Sequence, residues 1–423
     1  MLATTYTFPG RPHPFAPSSS HTDDNNNNND YDGDPFHSLY SSLANLTLTT
    51  TTNPPRPGTI TASESDPQSN NIIEVTPVFP PGANVVFAHS SFFRRRTHGL
   101  PTPSWQPDLP TPAEVRERAA AAARLGTVVV TSSDHEGSAD SEQVLVPFPE
   151  FPTRLMVKYH CRVNRNGGAG GVTGAASEGK VMMLVRRSTA CEAVVPEVFG
   201  WRRDAESGEG FVYMAMPEGD VLADRWEGMS EMEKGEVCSQ LRGVVAEWRR
   251  LRLGGVGFVG SVDNGPLQDL VFRGCTMAGA PPPGPFPTVA AFHDYFVSMA
   301  VTIAQSRHAG AVGGQIRYTP HHLFPDDVPV VFTHGALHPR NIIVSAGPSP
   351  RVTSIIGWEQ AGWYPAYWEL CKARLECSRH GGLGNWESKY LPWILDAEGL
   401  SRETCGWQVG SLCQYWDYFV GLL

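Results

Sequence analysis

The apolar positions between residues 127 and 216 fall into short runs rich in valine, leucine and aromatic residues, separated by polar or glycine-containing segments. Runs of this length and composition predict β-strands. The five predicted strands are "TVVVTSS", "QVLVPF", "TRLMVKYH", "EVFGWRR" and "GFVYMAMP". Between the third and fourth, "EGKVMMLVRRST" predicts a helix, and "NRNGGAGGVTGAAS" before it predicts a flexible loop. An earlier helix is predicted to start at Thr111 and Pro112, because proline suits the first helical turn. This region therefore predicts a small sheet with helices, a compact α+β lobe.

Beyond "PEGD" (residues 217–220) the pattern becomes mostly helical. Ser230 and Glu233 have the spacing of a capping box. The apolar residues that follow recur at helical spacing and predict a buried face: Val237, Cys238, Leu241, Val244, Val245, Trp248 and Leu251. Further on, the sequence predicts a helix over "TVAAFHDYFVSMAVTIAQS", a loop at "VFTHGALHPRN", strands at "NIIV" and "RVTSIIG", and a helix around "PAYWELCKARLEC". The whole pattern predicts an α+β, two-lobed fold with a cleft between a β-rich N-lobe and a larger helical C-lobe.

The first 90 residues differ in composition from the rest of the chain. They contain "DDNNNNND" and "TLTTTTNPPRPG" and too few large apolar residues to build a core, so residues 1–90 are predicted to be a disordered low-complexity region. The predicted domain organisation is then an N-lobe at 91–218 and a C-lobe at 219–423, together one domain.

Composition excludes some classes of function. The chain has 423 residues and a formal net charge of -10, which argues against a protein that binds nucleic acid through its phosphates. No apolar run is long enough to cross a membrane and the N-terminus lacks a secretory signal, so no membrane partner is expected. The eight cysteines form no C-x-x-C pair, which favours reduced thiols in a cytoplasmic protein.

Lys158 and Glu178 are the first candidates for a functional site. A lysine on an apolar strand can contact phosphate oxygens in a cleft, and a glutamate at the start of the next helix can orient it through an ion pair. Each has an ordinary alternative when taken alone, an outward-facing lysine and a partner of the helix dipole. His334 and His338 stand four residues apart, but Gly335 and Pro339 do not suit a helical zinc motif.

The series of these features in order is more specific than any one of them. On "LMVKYH", "VPEVFGW", "VYMAMPEGD", "SQLRGVVAEWRRLR", "GFVGSV", "VFTHGALHPRNIIV" and "SIIGWEQAGWYPAYWE", the chain resembles the aminoglycoside phosphotransferase-like family of the protein-kinase-like fold, particularly its fungal branch. The resemblance covers roughly residues 98–375 and implies ATP and Mg²⁺ as cofactors.

The resemblance also implies roles for individual residues. Lys158 would hold nucleotide phosphates and Glu178 would position it. Residues 214–218, with Met214 and Met216, would form the hinge that receives adenine. "HGALHPRN" would be the catalytic loop, with Asn341 as a ligand of Mg²⁺.

Two positions depart from the family pattern, which reads H-G-D-L-x-P-R-N and I-I-D-W-E. Ala336 occupies the position of the aspartate that accepts the proton of the substrate hydroxyl, and Gly357 occupies the position of the aspartate that binds Mg²⁺. Alanine has no lone pair to accept a proton, and glycine offers no carboxylate to a hard cation. Glu359 coexists with that aspartate in the family, so a structural role is expected for it. Pro217 lies in the hinge and has no N–H for adenine.

Three interpretations stay open on the sequence. The first is a catalytically impaired pseudo-phosphotransferase that binds a nucleotide, a small molecule or a protein partner. The second is a weak ATP-dependent phosphotransferase that acts on a small-molecule hydroxyl. The third is a decayed paralogue without function. The acceptor substrate is not indicated.

Overall fold

The computed structural model describes most of the chain from residue 72 onward: the ranges 72–94, 108–124, 129–131, 141–151, 153–162, 174–254, 257–272, 280–307, 324–380, 383–396, 399 and 409–423. The predicted disordered region up to residue 71, and most of the glycine-rich loop predicted before the N-lobe helix, lie outside these residues.

The folded part of the chain begins before the predicted boundary at residue 91. Strand β1 (Ile73–Val75) pairs in parallel with β9 (Leu251–Leu253), and β2 (Val85–Val86) pairs with β6 (Val198–Arg203). Val75 is buried against the C-lobe core. A few apolar residues that pack on a core formed by other segments are enough to order a stretch whose own composition predicts disorder.

The N-lobe is built on a six-stranded antiparallel sheet. Its other strands are β3 (Val129–Thr131), β4 (Ser141–Phe148), β5 (Leu155–Arg162) and β7 (Gly210–Ala215). The strand order is β2-β6-β7-β5-β4-β3, with β5 at the centre between β7 and β4. The predicted strands are thus confirmed as parts of one sheet.

Two helices cover opposite faces of this sheet, and the short helix α1 (Ser91–Arg94) precedes them. Val115 of α2 (Pro112–Arg124) packs in the same apolar cluster as Tyr213 of β7, whereas Val181 of α3 (Gly174–Ser188) shares a cluster with Val212. Because neighbouring strand residues point to opposite faces, α2 and α3 lie on opposite sides. Helix α3 begins at Gly174, so the last residues of the predicted flexible loop are its first turn.

Within the described residues, the C-lobe holds the longer helices and, besides the β1–β9 pair, two small sheets. Its helices are α4 (Leu222–Arg225), α5 (Glu231–Arg249), α6 (Val289–Arg307), α7 (Trp368–His380), α8 (Leu391–Ile394) and α9 (Val409–Leu422). Its further strands are β8 (Asp220–Val221), β10 (Val330–Thr333), β11 (Ile342–Val344), β12 (Val352–Ile355) and β13 (Gly362–Pro365). One sheet has the order β12-β11-β8, and β10 pairs with β13.

Short helical turns connect these elements. In the described part of the chain, 3₁₀ turns lie at Ala190–Val194, Trp226–Gly228, Leu270–Phe272, Pro339–Asn341 and Trp358–Gln360, and a π-helical turn spans Trp386–Tyr390. None of the helices within the described ranges is both long and apolar enough to cross a membrane.

The capping box predicted at the start of α5 is present. The Ser230 hydroxyl accepts from the Glu233 N–H, and the Glu233 carboxylate accepts from the Ser230 N–H at 2.9 Å. The predicted apolar face of α5 is mostly buried, although Leu251 lies in β9, beyond the end of the helix. The predicted α+β, two-lobed fold is confirmed.

Candidate functional site

Lys158 is a buried residue at the centre of the N-lobe sheet, not an outward-facing one. It lies on β5 between Val157 and Tyr159, whose side chains face α2, so its own side chain points toward α3. Its Nζ lies 3.0 Å from Oε1 of Glu178 on α3 and 2.7 Å from Oε2 of Glu359. Strand alternation and the position of α3 therefore bring together the pair that the sequence predicted and add a second carboxylate.

The surroundings keep Lys158 charged. Burial would lower the pKa of this amine, but the charges of Glu178 and Glu359 and their hydrogen bonds outweigh it and raise the pKa above its ordinary value. The Glu178 carboxylate also accepts from the Trp358 N–H at 3.3 Å. Lys158 is thus held by two acidic side chains, one from each lobe.

The loop at residues 334–341 is fixed by a buried glutamate at the start of α7. Glu369 accepts from the N–H of His334 at 2.6 Å and from the N–H of Gly335 at 3.0 Å. Burial raises the pKa of Glu369, against the effect of these two hydrogen bonds. Gly335 has φ +77°, and a Cβ there would lie 3.0 Å from the Gln360 carbonyl oxygen, so the turn requires glycine. No motif in the sequence singles out Glu369, and it was not predicted as a site residue.

His334 is packed among aromatic rings rather than placed to bind a metal. Its ring stacks on Trp248 and contacts the edge of Trp358, with centroids 5.9 and 4.4 Å away. Burial lowers the pKa of His334 to about 4, so the ring is neutral near pH 7. The second histidine, His338, caps the following 3₁₀ turn by accepting from the Arg340 N–H. The described residues contain no cluster of three or more His, Cys, Asp or Glu side chains able to hold a metal.

Ala336 and Asn341 face each other across the loop. The Asn341 Nδ2 donates to the Ala336 carbonyl at 2.8 Å, and the Ala336 N–H donates to Nδ1 of His334 at 3.2 Å. Ala336 is 3% exposed and contributes only a methyl group. The position where the family resemblance implies a proton acceptor therefore has none of its own.

Gly357 lies beside Asn341, as a shared metal site would require. A Cβ on Gly357 would be 2.9 Å from Nδ2 and 3.3 Å from Oδ1 of Asn341. The backbone at Gly357 has φ +83° and ψ 43°, a left-handed conformation that glycine adopts freely and aspartate or asparagine tolerates. The two positions are thus neighbours, but Asn341 alone supplies a side-chain oxygen.

The residues present do not fit Mg²⁺. This cation prefers charged oxygen ligands in near-octahedral geometry, and position 357 has no side chain. Glu359, two residues further on, directs its carboxylate to Lys158.

The predicted hinge offers few donors to a nucleotide base. Met214 is buried within the sheet, where it pairs with Met156 and Val198. The N–H of Met216 donates to the Arg154 carbonyl at 2.8 Å, and that of Ala215 is bonded in the same lobe. Pro217 has no N–H. Three consecutive positions of this segment therefore cannot donate a backbone hydrogen bond to adenine without rearrangement.

A fully buried polar network lies behind the loop, and sequence reasoning missed it. The Lys372 Nζ lies 2.9 Å from Oδ1 of Asp269 and 2.9 Å from Oε1 of Gln360. The Trp368 indole N–H donates to the other Asp269 oxygen at 2.8 Å. Lys372 follows Glu369 by three residues on α7, so both lie on the same side of the helix. This spacing of two charged residues among apolar ones was the only sequence signal that could have indicated the buried network. The network ties α7 to the segment around Gln360.

A lysine–glutamate pair within the N-lobe, a second glutamate that reaches the same lysine from the C-lobe, and a loop that places Asn341 beside Gly357 define a protein-kinase-like phosphotransferase fold. The sequence model described as the phosphotransferase enzyme family (APH) matches residues 162–379, just over half of the chain. The chain belongs to this family.

Several solved structures are similar to this chain. An aminoglycoside-3′-phosphotransferase of type VIII shares 13% identity with a TM-score of 0.40, over 73% of this chain and 99% of that one. The GDP and kanamycin complex of APH(2″)-IIIa shares 12% identity with a TM-score of 0.35, over 73% and 90%. APH(3″)-Id from Streptomyces rimosus shares 14% identity with a TM-score of 0.34, over 64% and 92%. No curated protein matches this chain.

Proposed function

We propose that this protein is a pseudo-phosphotransferase, a member of its family that has kept the two-lobed fold and lost most of its transferase activity. The observation that carries the proposal is that the two positions next to Asn341 where the family has aspartates both lack a carboxylate. Ala336 supplies no proton acceptor, and Gly357 supplies no metal ligand. The remaining function would be binding or scaffolding in the cytoplasm.

The loss at Ala336 affects the proton transfer. A positioned general base contributes roughly 10²–10⁴-fold to rate, which corresponds to about 3–5 kcal/mol of activation free energy. A substrate hydroxyl next to the Ala336 methyl would have to transfer its proton to solvent or to the phosphate itself. This effect alone would make turnover slow.

The loss at Gly357 affects the position and charge of the phosphates. Phosphoryl transfer depends on positioning and on neutralisation of the transferred group, to which metal ions contribute. With only Asn341 as a ligand, Mg²⁺ would bind weakly. The phosphates would also have to compete with Glu178 and Glu359 for Lys158. ATP and Mg²⁺ would therefore bind loosely, and the two losses would compound each other.

Binding without transfer is compatible with the intact fold. Related structures are described as complexes with ADP and hygromycin B and with streptomycin and ATP. By analogy, the cleft of this chain would accept a nucleotide or another small molecule, or a protein partner would recognise the lobes. No nucleic-acid or membrane partner is proposed.

The alternative is a weak ATP-dependent phosphotransferase that acts on a small-molecule hydroxyl. The intact Lys158–Glu178 pair and the ordered loop around Asn341 favour it, because both would be needed for phosphate positioning. It requires another group to accept the proton and another ligand for the metal.

Nucleotide binding with and without Mg²⁺ tests the proposal, because this measurement does not depend on the unknown acceptor. Calorimetry should show that Mg²⁺ leaves the affinity of the native protein for ATP nearly unchanged. In Gly357→Asp, by contrast, Mg²⁺ should tighten ATP binding by about ten-fold or more. Gly243→Asp, which adds a carboxylate on the exposed face of α5, serves as the matched control and should behave as the native protein.

Turnover of ATP in the presence of a panel of hydroxyl acceptors completes the test. The native protein should not exceed the rate without enzyme, whereas the variant with Ala336→Asp and Gly357→Asp should. Native turnover equal to that of the double variant would overturn the proposal, and so would strong Mg²⁺-dependent ATP binding by the native protein.

A further inference from the structure

A cavity of about 280 Å³ lies between the lobes, lined by residues outside the lysine cluster and the loop at 334–341. Its walls are the first turn of α3, the adjoining ends of β6 and β7, and the segment at residues 261–268 of the C-lobe. The Lys180 amine and the Asp263 carboxylate, 2.6 Å apart, join the two lobes at this cavity. The cavity is large enough for a small molecule.

The charged groups of the cavity are positive on balance. The Asp263 carboxylate is already engaged, because Oδ2 lies 2.6 Å from the Lys180 amine and Oδ1 accepts from the Ser261 hydroxyl at 2.7 Å. Arg203, at the end of β6, also lines the cavity and is exposed. Among the residues that the structure describes, its guanidinium forms no ion pair. One cation is therefore available to a ligand in addition to the shared Lys180.

Ser177 adds a hydroxyl to this cavity. The residue is only 8% exposed, and its side chain makes no hydrogen bond within the described part of the chain. It lies in the first turn of α3, a helix of 15 residues. The first four N–H groups of a helix have no acceptor within the helix, and the dipole there favours a negative charge. A hydroxyl on a buried residue, with no partner among the described residues and placed beside the first-turn amides and an arginine, is an arrangement that accepts an anion.

The neighbouring Arg202 also belongs to the lining of the cavity. Its guanidinium carbon, however, lies 5.7 Å from the centre of the Tyr213 ring, on the face that packs against α2. Arg203 is the next residue along the strand and points to the opposite face, on which α3 lies. The two arginines therefore provide a matched pair for an experiment.

We propose that this cavity binds the phosphate group of a small molecule, held by Arg203, Lys180, the Ser177 hydroxyl and the first-turn amides of α3. The site is independent of the function proposed for the cleft, because it shares no residue with the lysine cluster or the loop at 334–341. A ligand here would contact both lobes and would therefore stabilise the folded protein.

Titration of the full-length protein with inorganic phosphate tests the site, with sodium chloride at equal ionic strength as the reference. Glycerol 3-phosphate is the second probe, since tighter binding of this ester than of free phosphate identifies a site for a phosphomonoester. Calorimetry and the shift of the unfolding midpoint report binding without any nucleotide. We expect saturable binding by the native protein and no effect of chloride.

The variants decide whether the binding occurs in this cavity. Arg203→Gln should weaken phosphate binding by about ten-fold or more, since a charge-assisted hydrogen bond is lost. Ser177→Ala should weaken it by a smaller factor, and Arg202→Gln should leave it within about two-fold of the native value. The proposal is overturned if the native protein shows no saturable binding, or if Arg202→Gln loses as much affinity as Arg203→Gln.

Discussion

The Glu359 carboxylate lies 2.7 Å from the Lys158 amine, and the Glu178 carboxylate lies 3.0 Å from the same amine. Glu359 belongs to the 3₁₀ turn that directly follows Gly357. The segment that lacks the expected metal ligand thus supplies a second acidic partner to the lysine. The sequence predicted a structural role for Glu359, and the structure shows it as an ion pair that joins the C-lobe to Lys158 of the N-lobe.

Replacement of Lys158 by methionine should destabilise this protein strongly. Two buried carboxylates would lose their common cation, and the removal of one partner from a buried ion pair costs about 3–5 kcal/mol. The free energy of unfolding from urea titration measures the loss. Lys158→Met combined with Glu359→Gln should recover part of it, because one of the two carboxylates is then neutral. Equal stability of Lys158→Met and the native protein would mean that the cluster does not hold the lobes together.

Gly357 should tolerate alanine poorly, for reasons of backbone conformation and space. The left-handed conformation costs a residue with a Cβ about 1–2 kcal/mol, and this Cβ would lie 2.9 Å from Nδ2 of Asn341. Gly357→Asn should cost less in backbone strain, because asparagine tolerates positive φ. Thermal unfolding of both variants measures the difference.

Gly243 provides the control for Gly357. It lies within α5, and no atom comes within 4 Å of the position of an added Cβ. Gly243→Ala should therefore stabilise the protein by about 0.5–1 kcal/mol, since alanine favours the helix. If Gly357→Ala and Gly243→Ala change the stability equally, then neither the backbone conformation at position 357 nor its contact with Asn341 excludes a side chain there.

The sequence predicted those parts of the site that depend on local pattern. The capping box at Ser230 and the strand that carries Lys158 follow from spacing and composition within a few residues. The approach of Glu178 to Lys158 was also expected, because a strand–helix unit with this order of residues resembles a known family. These features are encoded by neighbours in the chain or by a recognisable series of motifs.

The sequence did not predict contacts between distant segments. Glu369 accepts from the N–H groups of His334 and Gly335, which lie 35 and 34 residues away, and Lys372 reaches Asp269 across 103 residues. Nothing in the local pattern of α7 selects these partners, since they depend on how the lobe packs. The early strand β1 was missed for the same reason, because its partner β9 lies far along the chain.

His334 should make the stability of the protein depend on pH between about 6.5 and 4. Burial lowers its pKa from 6.5 to about 4, with smaller effects of Glu359 and Lys158 in opposite directions. Above pH 6.5 the imidazole is neutral in the folded and unfolded states. Below that pH the unfolded state binds the proton more readily, so stability falls as the pH decreases, and the loss reaches about 3 kcal/mol near pH 4.

His334→Phe separates this effect from other titrating groups. Phenylalanine keeps a ring between Trp248 and Trp358 but cannot bind a proton. The difference in unfolding free energy between the native protein and the variant, measured by urea titration at several pH values, should shrink as the pH falls from 6.5 to 4. A difference that is constant over this range would show that His334 is not the group responsible.

Lys372→Met should show how much the buried network behind the loop contributes to the free energy of unfolding. The side chain is fully buried and lies 2.9 Å from both Asp269 and Gln360, so its removal would leave a buried carboxylate without its cation. The expected loss is about 3–5 kcal/mol in the free energy of unfolding.

Lys389→Met is the matched control, because Lys389 pairs with Glu231 on the surface, and it should leave the unfolding midpoint unchanged. Combining Lys372→Met with Asp269→Asn should recover part of the loss, since the carboxylate charge is then removed. If Lys372→Met unfolds at the same urea concentration as the native protein, the network does not fix α7 to the segment around Gln360.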